Sequence, residues 1–383
     1  MSSSASSLPI AIVGGGIIGL SLGWRLAEAG ARVVLFERGE AGLGASHAAA
    51  GMLAPGIETE PGEDPLIALG RESLALWPAF AAELEAKSGL AVGLRTEGTI
   101  EIALTRDDAA RLARRVAFQQ SRGAELHWLS PASAREREPH LGPQLAGAVF
   151  SPHDHQVDNR RVVAALRRVF LAAGGELREH TPVAAIEIGG SRVSGVRLRT
   201  GEIVPASSVV LAAGAWSAEL DGLTPAIRPP VRPIKGQMLS LKMDPAHPLL
   251  RHVLWTPKVY LVPRQDGRLL IGATTEERGF EVSLTAGGIF SLLEGAWRAI
   301  PAIEELPIDE MWVGFRPGSR DDAPILGPTA IEGLVMATGH HRNGILLAPI
   351  TAALLVPLLL EGRVDPRLAP FRLERFASRE RVA

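Results

Sequence analysis

The chain has 383 residues, 46% of them hydrophobic, enough for two domains with full cores. Its 40 Lys and Arg against 42 Asp and Glu leave a formal net charge of −2, so nothing global points to nucleic acid or an anionic membrane. The lack of cysteine excludes disulfides, thiolate metal sites and cysteine nucleophiles, and fits the cytoplasm.

The opening MSSSASSLP has no basic n-region and reads as a short disordered lead rather than a signal peptide. Ile10 to Glu37 then carries the strongest signal. An apolar run, Ile10 to Val13, enters Gly14, Gly16 and Gly19 in G-x-G-x-x-G spacing. A helix-like segment ends near Gly30, and a second apolar run, Val33 to Phe36, closes on Glu37. The first glycine permits the tight turn, the second the approach of a pyrophosphate, and the third the packing of helix on strand. The helix N-terminus offers N–H groups to phosphate, and Glu37 can accept from a ribose. Strand, glycines, helix, strand and terminal acid together predict dinucleotide binding. The motif does not separate FAD from NAD.

After Glu37, RGEAGLGASHAAAGMLAPG is small-residue chain that can run close to a flat ligand, with Ser46 in reach of phosphate. Residues 64 to 88 read as a helix that Pro78 can kink or split. Gly98 to Leu104 alternates like a strand, Asp107 to Arg122 is helical, and Pro131 to Arg137 and Gly147 to Phe150 are a short helix and strand. The cluster His153, Asp154, His155 and Asp158 has none of the usual zinc spacings. It reads instead as a lead-in to the helix Asn159 to Ala173, capped by Asp158, with no metal expected.

A strand, a three-stranded meander and the apolar strand Val209 to Gly214 follow, with Val183 placed to meet an adenine ring through its backbone. VYLVPRQDGRLLIGATTE predicts a hairpin turning at Asp266-Gly267. It carries Tyr260, the only tyrosine, with Lys258 two residues before it on the same strand face. In the tail, Arg316 and Arg342 sit in tight, glycine-rich surroundings, which suits anion binding by at least one of them. The helix after Asn343 is expected to point its N-terminus at Arg342. Gly344 to Leu360 is shorter than a membrane span and holds Pro349 and Pro357, so a buried helix is predicted.

AAAGMLAP, VVLAAGAWS, GFRPGSRDDAPILG and GHHRNGILLAP together resemble the D-amino-acid oxidase family of flavoproteins, over about residues 8 to 375. Within that family they are similar to the glycine oxidases of the thiamine pathway. The resemblance implies an α/β fold. A discontinuous, Rossmann-like FAD-binding domain (1–54, 152–218 and 311–383) would join an α+β substrate domain (55–151 and 219–310) with a large mixed or antiparallel sheet. It implies FAD rather than NAD. The contacts carried over are Gly14, Gly16, Ile17, Ile18, Gly19, Glu37, Arg38, Ala45, Ser46, Ala50, Gly51, Met52, Val183 and Gly214. The segment His340, His341, Arg342, Asn343, Gly344, Ile345 and Leu346 would line the flavin ring. Arg316 matches the arginine that clamps the substrate carboxylate, Tyr260 the tyrosine that closes on it, and Arg342 a second substrate-side arginine.

The pattern is broken at Lys258, where histidine is expected, and at Thr275, where methionine is expected. Both bear on substrate range more than on reaction type. His47 lies in the flavin loop, but its spacing to Gly51 differs from relatives that attach flavin through histidine, so non-covalent FAD is expected. The implied activity is oxidation of glycine, sarcosine or small D-amino acids by oxygen, giving 2-oxo acid, ammonia and hydrogen peroxide. The implied state is a homo-oligomer, a tetramer by resemblance, with thiazole synthase a conceivable partner. The rivals are a quinone-linked D-amino-acid dehydrogenase on the same scaffold and a non-catalytic FAD-binding scaffold.

Overall fold

The computed structural model describes residues 8–58 and 60–379; most of the N-terminal lead lies outside them. The nucleotide unit is strand β1 (Ile10–Val13), helix α1 (Ile17–Glu28) and strand β2 (Val33–Phe36). All eight strand residues are buried, as the continuous apolar runs of a parallel sheet covered on both faces require. β1 lies between β2 and Ser208–Leu211, parallel to both, and the sheet extends to Leu334–Thr338 on one side and Glu176–Arg178 on the other. Ile325–Pro328 adds an antiparallel edge, making six strands. α1 packs against the helices Asn159–Ala172 and Ala348–Glu361, and this side of the sheet holds Trp24, Leu166, Phe170 and Leu355 in one apolar cluster. Its other side meets the antiparallel meander Val183–Gly189, Arg192–Leu198 and Ile203–Pro205.

The second sheet has eight strands in the order Ile308–Gly318, Arg232–Lys242, Arg268–Gly272, Tyr260–Pro263, Val253–Trp255, Thr99–Ala103, Gly147–Ser151 and His127–Leu129. It is mixed: Val253–Trp255 runs parallel to Thr99–Ala103 and every other pair is antiparallel. The hairpin turning at Asp266-Gly267 is present. The strand Ile308–Gly318 crosses the 310/311 boundary set from the sequence and belongs by pairing to this sheet.

Two helices differ from expectation. Asp64–Ser88 runs unbroken through Pro78. The C-terminal helix begins at Ala348, with a 3-10 turn at His341–Asn343 before it, so a turn rather than a helix N-terminus follows Arg342. No helix among the described residues is long and apolar enough to cross a membrane. Asp158 caps its helix as predicted, accepting from the Arg160 and Arg161 N–H groups. Asp154 instead accepts the Gly56 and Ile57 N–H groups, both at 2.8 Å, which ties down the chain that leads to Glu58.

Candidate active site

A cavity of about 1300 Å³ runs from the β1–α1 turn to the face of the eight-stranded sheet. It exceeds the roughly 300–1,000 Å³ of most small-ligand sites and has room for a dinucleotide and a small substrate end to end.

The nucleotide end is built from close backbone contacts. Gly14 has φ +111°, and a Cβ there would lie 2.3 Å from the Ala212 carbonyl oxygen; one on Gly19 would lie 2.0 Å from that of Gly14. Gly16 is the N-cap of α1 without a capping side chain, and the first turn holds no acid. Ile17 N–H donates to Ser46 Oγ at 2.9 Å. Ser46 thus takes the first N–H of the helix, and a helix start with no acid of its own facing a cavity suits an anion. Glu37 lines the cavity and accepts from Gly15 N–H at 2.8 Å and Gly39 N–H at 3.0 Å. Arg38 stacks over Trp216, its Cζ 3.5 Å from the ring centroid, and Trp216 stacks on Phe280 at 4.9 Å. The small-residue loop after Glu37 is held from beneath: Asn159 Nδ2 donates to Ser46 O, Trp312 Nε1 to Ala48 O, and Arg264 Nη2 to Ala50 O. Burial pulls the Arg264 guanidinium down to about 10. A glycine cradle, a helix N-terminus at the cavity, a ribose-side acid and an aromatic wall fit a flavin dinucleotide.

The substrate end is cleared by glycines. Arg316, on Ile308–Gly318, pairs across to Ile234. Its guanidinium lies over Gly236, where a Cβ would meet Nη1 at 2.7 Å. Nη1 donates to Thr274 O at 3.1 Å, and no carboxylate among the described residues pairs with Arg316. Tyr260 pairs with Gly272, where a Cβ would strike its ring at 2.4 Å. The Tyr260 hydroxyl has Met238 Sδ at 3.8 Å. Burial pushes its pKa up, against the pull of Arg316. Together these leave a cation and a phenol facing one cavity, with the cation's charge unmet.

Arg342 is differently placed. Its Nε lies 3.5 Å from Glu58 Oε2, one Nη 3.6 Å from Glu63 Oε1, and Nη2 donates to Glu58 O at 3.2 Å. Of the two arginines, Arg316 is the one left for an outside anion.

Most residues singled out in the sequence line this cavity: Gly14, Gly16, Ile17, Ile18, Glu37, Arg38, Ala45, Ser46, Ala50, Gly51, Met52, Val183, Gly214, Tyr260, Arg316, His340, His341, Arg342, Gly344 and Ile345, with Lys258 and Thr275. Gly19, Asn343 and Leu346 are not on its wall. Gly19 serves helix packing, Asn343 O accepts Leu347 N–H in the turn, and Leu346 O accepts from Ser73 and Trp77. Lys258 precedes the strand rather than sharing a face with Tyr260, and pairs with Glu294 at 3.1 Å. His47 is also off the wall. The sequence reading missed Trp216, Arg264 and Glu58; VVLAAGAWS carried Trp216, while the other two have no local signal.

Residues 9–358 match the family model described as FAD dependent oxidoreductase. The chain belongs to this family. Its cofactor is accordingly FAD, and it is an oxidoreductase. It is 39% identical to the glycine oxidase of Geobacillus kaustophilus over 369 residues, 96% of each chain. The crystal structure of glycine oxidase from that organism superposes with a TM-score of 0.89 at 38% identity, covering 96% of this chain and 99% of that one. A bifunctional protein ThiO/ThiG of Trichormus variabilis is 38% identical over 96% of this chain, which spans only 55% of that longer protein.

Proposed function

We propose that the protein oxidises glycine and other small amines or amino acids, such as sarcosine and small D-amino acids, to 2-oxo acid, ammonia and hydrogen peroxide. The observation that carries this is the Arg316 guanidinium, without a carboxylate partner, beside Tyr260 in the cavity that also holds the dinucleotide cradle. Arg316 would take the substrate carboxylate in a charge-assisted, bidentate pair, and the Tyr260 hydroxyl would donate to one of its oxygens. That fixes the Cα–H bond relative to the cavity wall made by Gly51, Met52 and the 340–345 turn. Positioning of this kind supplies much of the rate without a dedicated acid or base at carbon. FAD, when bound, would supply the hydride acceptor and the route for the electrons to molecular oxygen. The product imine then hydrolyses.

The glycine oxidase names of the relatives support the substrate class. The ThiO/ThiG relative, in which a sequence like this one is joined to a second part, supports a place in thiamine synthesis with thiazole synthase as partner. FAD held without a covalent bond agrees with His47 lying off the cavity wall. The reading also has the enzyme working in the cytoplasm as a homo-oligomer. Lys258 and Thr275, both on the wall, favour a second reading on the same scaffold, in which sarcosine or a D-amino acid is preferred to glycine. Anaerobic absorbance with glycine, sarcosine, D-alanine and D-proline separates these, and peroxide release on adding air separates oxygen from a quinone acceptor. No bleaching by any of the four would refute the proposal.

A further inference from the structure

We propose that the Glu58 carboxylate takes the proton from the substrate's ammonium group, delivering the neutral amine that loss of hydride from Cα requires. The inference rests on the amine-oxidation reading above and deepens it.

Glu58 lines the cavity shared by Arg316 and Tyr260, and its side chain is 12% exposed. No hydrogen bond to its carboxylate forms among the described residues. Arg342 reaches it only at 3.5 Å, spending its hydrogen bond on the Glu58 carbonyl and its other ion pair on Glu63. The backbone ahead of it is fixed by Asp154 through the Gly56 and Ile57 N–H groups. The other carboxylate on the wall away from the nucleotide, Glu101, is committed to Arg115. A zwitterion whose carboxylate sits on Arg316 therefore meets, for its ammonium end, a carboxylate that no hydrogen bond among the described residues holds and that only the 3.5 Å ion pair with Arg342 engages.

The charge balance favours transfer. Burial pushes Glu58 up to about 7; Asp154 and Glu63 add to the shift, and Arg342 and Arg316 oppose it. Tyr260 feels the Glu58 charge in turn. A carboxylate this basic is a better proton acceptor than one of ordinary acidity, while two arginines nearby make an ammonium more acidic. One N–H bond breaks and one O–H bond forms at Glu58; nothing is oxidised or reduced in the step. The proton returns to solvent from Glu58, whose side chain is 12% exposed, when the product leaves.

The test uses holoenzyme, with anaerobic flavin reduction followed from about pH 6 to 10 for the wild type, Glu58→Gln and Glu58→Asp. General-base contributions are typically 10²–10⁴-fold. Glu58→Gln is therefore expected to reduce flavin about 100-fold more slowly at pH 7, then to gain about tenfold per pH unit as free amine appears in solution. Glu58→Asp should recover part of the neutral-pH rate. Acetate, a carboxylate without an amine, should perturb the flavin spectrum of Glu58→Gln with an affinity equal to or tighter than that of wild type, because its partner is Arg316 and a neighbouring negative charge has been removed. A Glu58→Gln profile that matches wild type overturns the proposal while leaving amine oxidation intact. Acetate affinity that falls in step with the rate also overturns it, making Glu58 a support for the site. Failure of every amine to bleach the wild type overturns the functional reading and this proposal together.

Discussion

Gly236→Ala isolates the carboxylate clamp. Gly236 sits in the middle of Arg232–Lys242, buried, with a φ outside the left-handed region. An added Cβ would lie 2.7 Å from Arg316 Nη1, 3.0 Å from Nη2 and 3.1 Å from Cζ. Those atoms are the far end of a long side chain, so the backbone need not move and the fold should lose little. The guanidinium must retreat by about 0.7 Å to reach ordinary van der Waals contact. It would then no longer meet a carboxylate on two parallel hydrogen bonds. Misplacement by about 1 Å can cost on the order of 10²-fold in rate, so kcat/KM for the best amine should fall roughly 10- to 100-fold, about 1.4–2.8 kcal/mol. The assays are steady-state kinetics, acetate binding by flavin absorbance, and Tm. Acetate affinity should fall with kcat/KM, while Tm and flavin content stay near wild type. Unchanged kinetics and acetate affinity would refute the placement of the substrate carboxylate on Arg316.

Arg316→Ala should remove the charge-assisted pair outright, lowering kcat/KM by on the order of 2–5 kcal/mol with flavin retained; near-normal kcat/KM would move the clamp elsewhere. Arg264→Met should free Ala50 O and Asn159 Oδ1, which the guanidinium now bonds at 2.7 and 3.0 Å, and weaken FAD binding roughly tenfold, read by flavin retention on dialysis. His340 is buried, bonded to Thr351 Oγ1 at 3.1 Å, and held by burial at about 3 against an ordinary 6.5. Below pH 6.5 the unfolded chain binds a proton that the folded chain does not. Stability should therefore be full above 6.5 and fall by up to about 1.4 kcal/mol per pH unit toward pH 3. His340→Gln should flatten that part of the urea-melt pH dependence.

The parts of the site that lie within one stretch of chain were legible because local geometry dictates them. Gly14, Gly16 and Glu37 are fixed by a turn, a helix start and a strand end that follow one another in sequence. The hairpin bearing Tyr260 was equally local, set by Asp266-Gly267. Arg316 and Arg342 were visible as cations in glycine-rich settings, but nothing in the sequence separated them. The difference is tertiary: the 56–63 segment brings Glu58 and Glu63 to Arg342 and leaves Arg316 without a carboxylate partner. Pro78 misled because the Asp64–Ser88 helix is held by packing of Leu69, Trp77, Phe80 and Leu84 into the core beside α1, which outweighs a missing backbone hydrogen bond.

Gly236 and Gly272 show why the substrate end was harder to read than the nucleotide end. In the β1–α1 turn, glycines serve backbone close to backbone, and their spacing is a signature of that need. On the eight-stranded sheet, the same residue type serves the side chain of a neighbouring strand: Gly236 makes room for Arg316 and Gly272 for Tyr260. Such a glycine means nothing until the register is known, since a one-residue slip would turn it to the other face. The register pairs Ile234 with Arg316 and Tyr260 with Gly272, and only then do two unremarked glycines become conditions for the clamp. Specificity in this fold is thus set as much by which strand positions lack a side chain as by the charged groups that use the space.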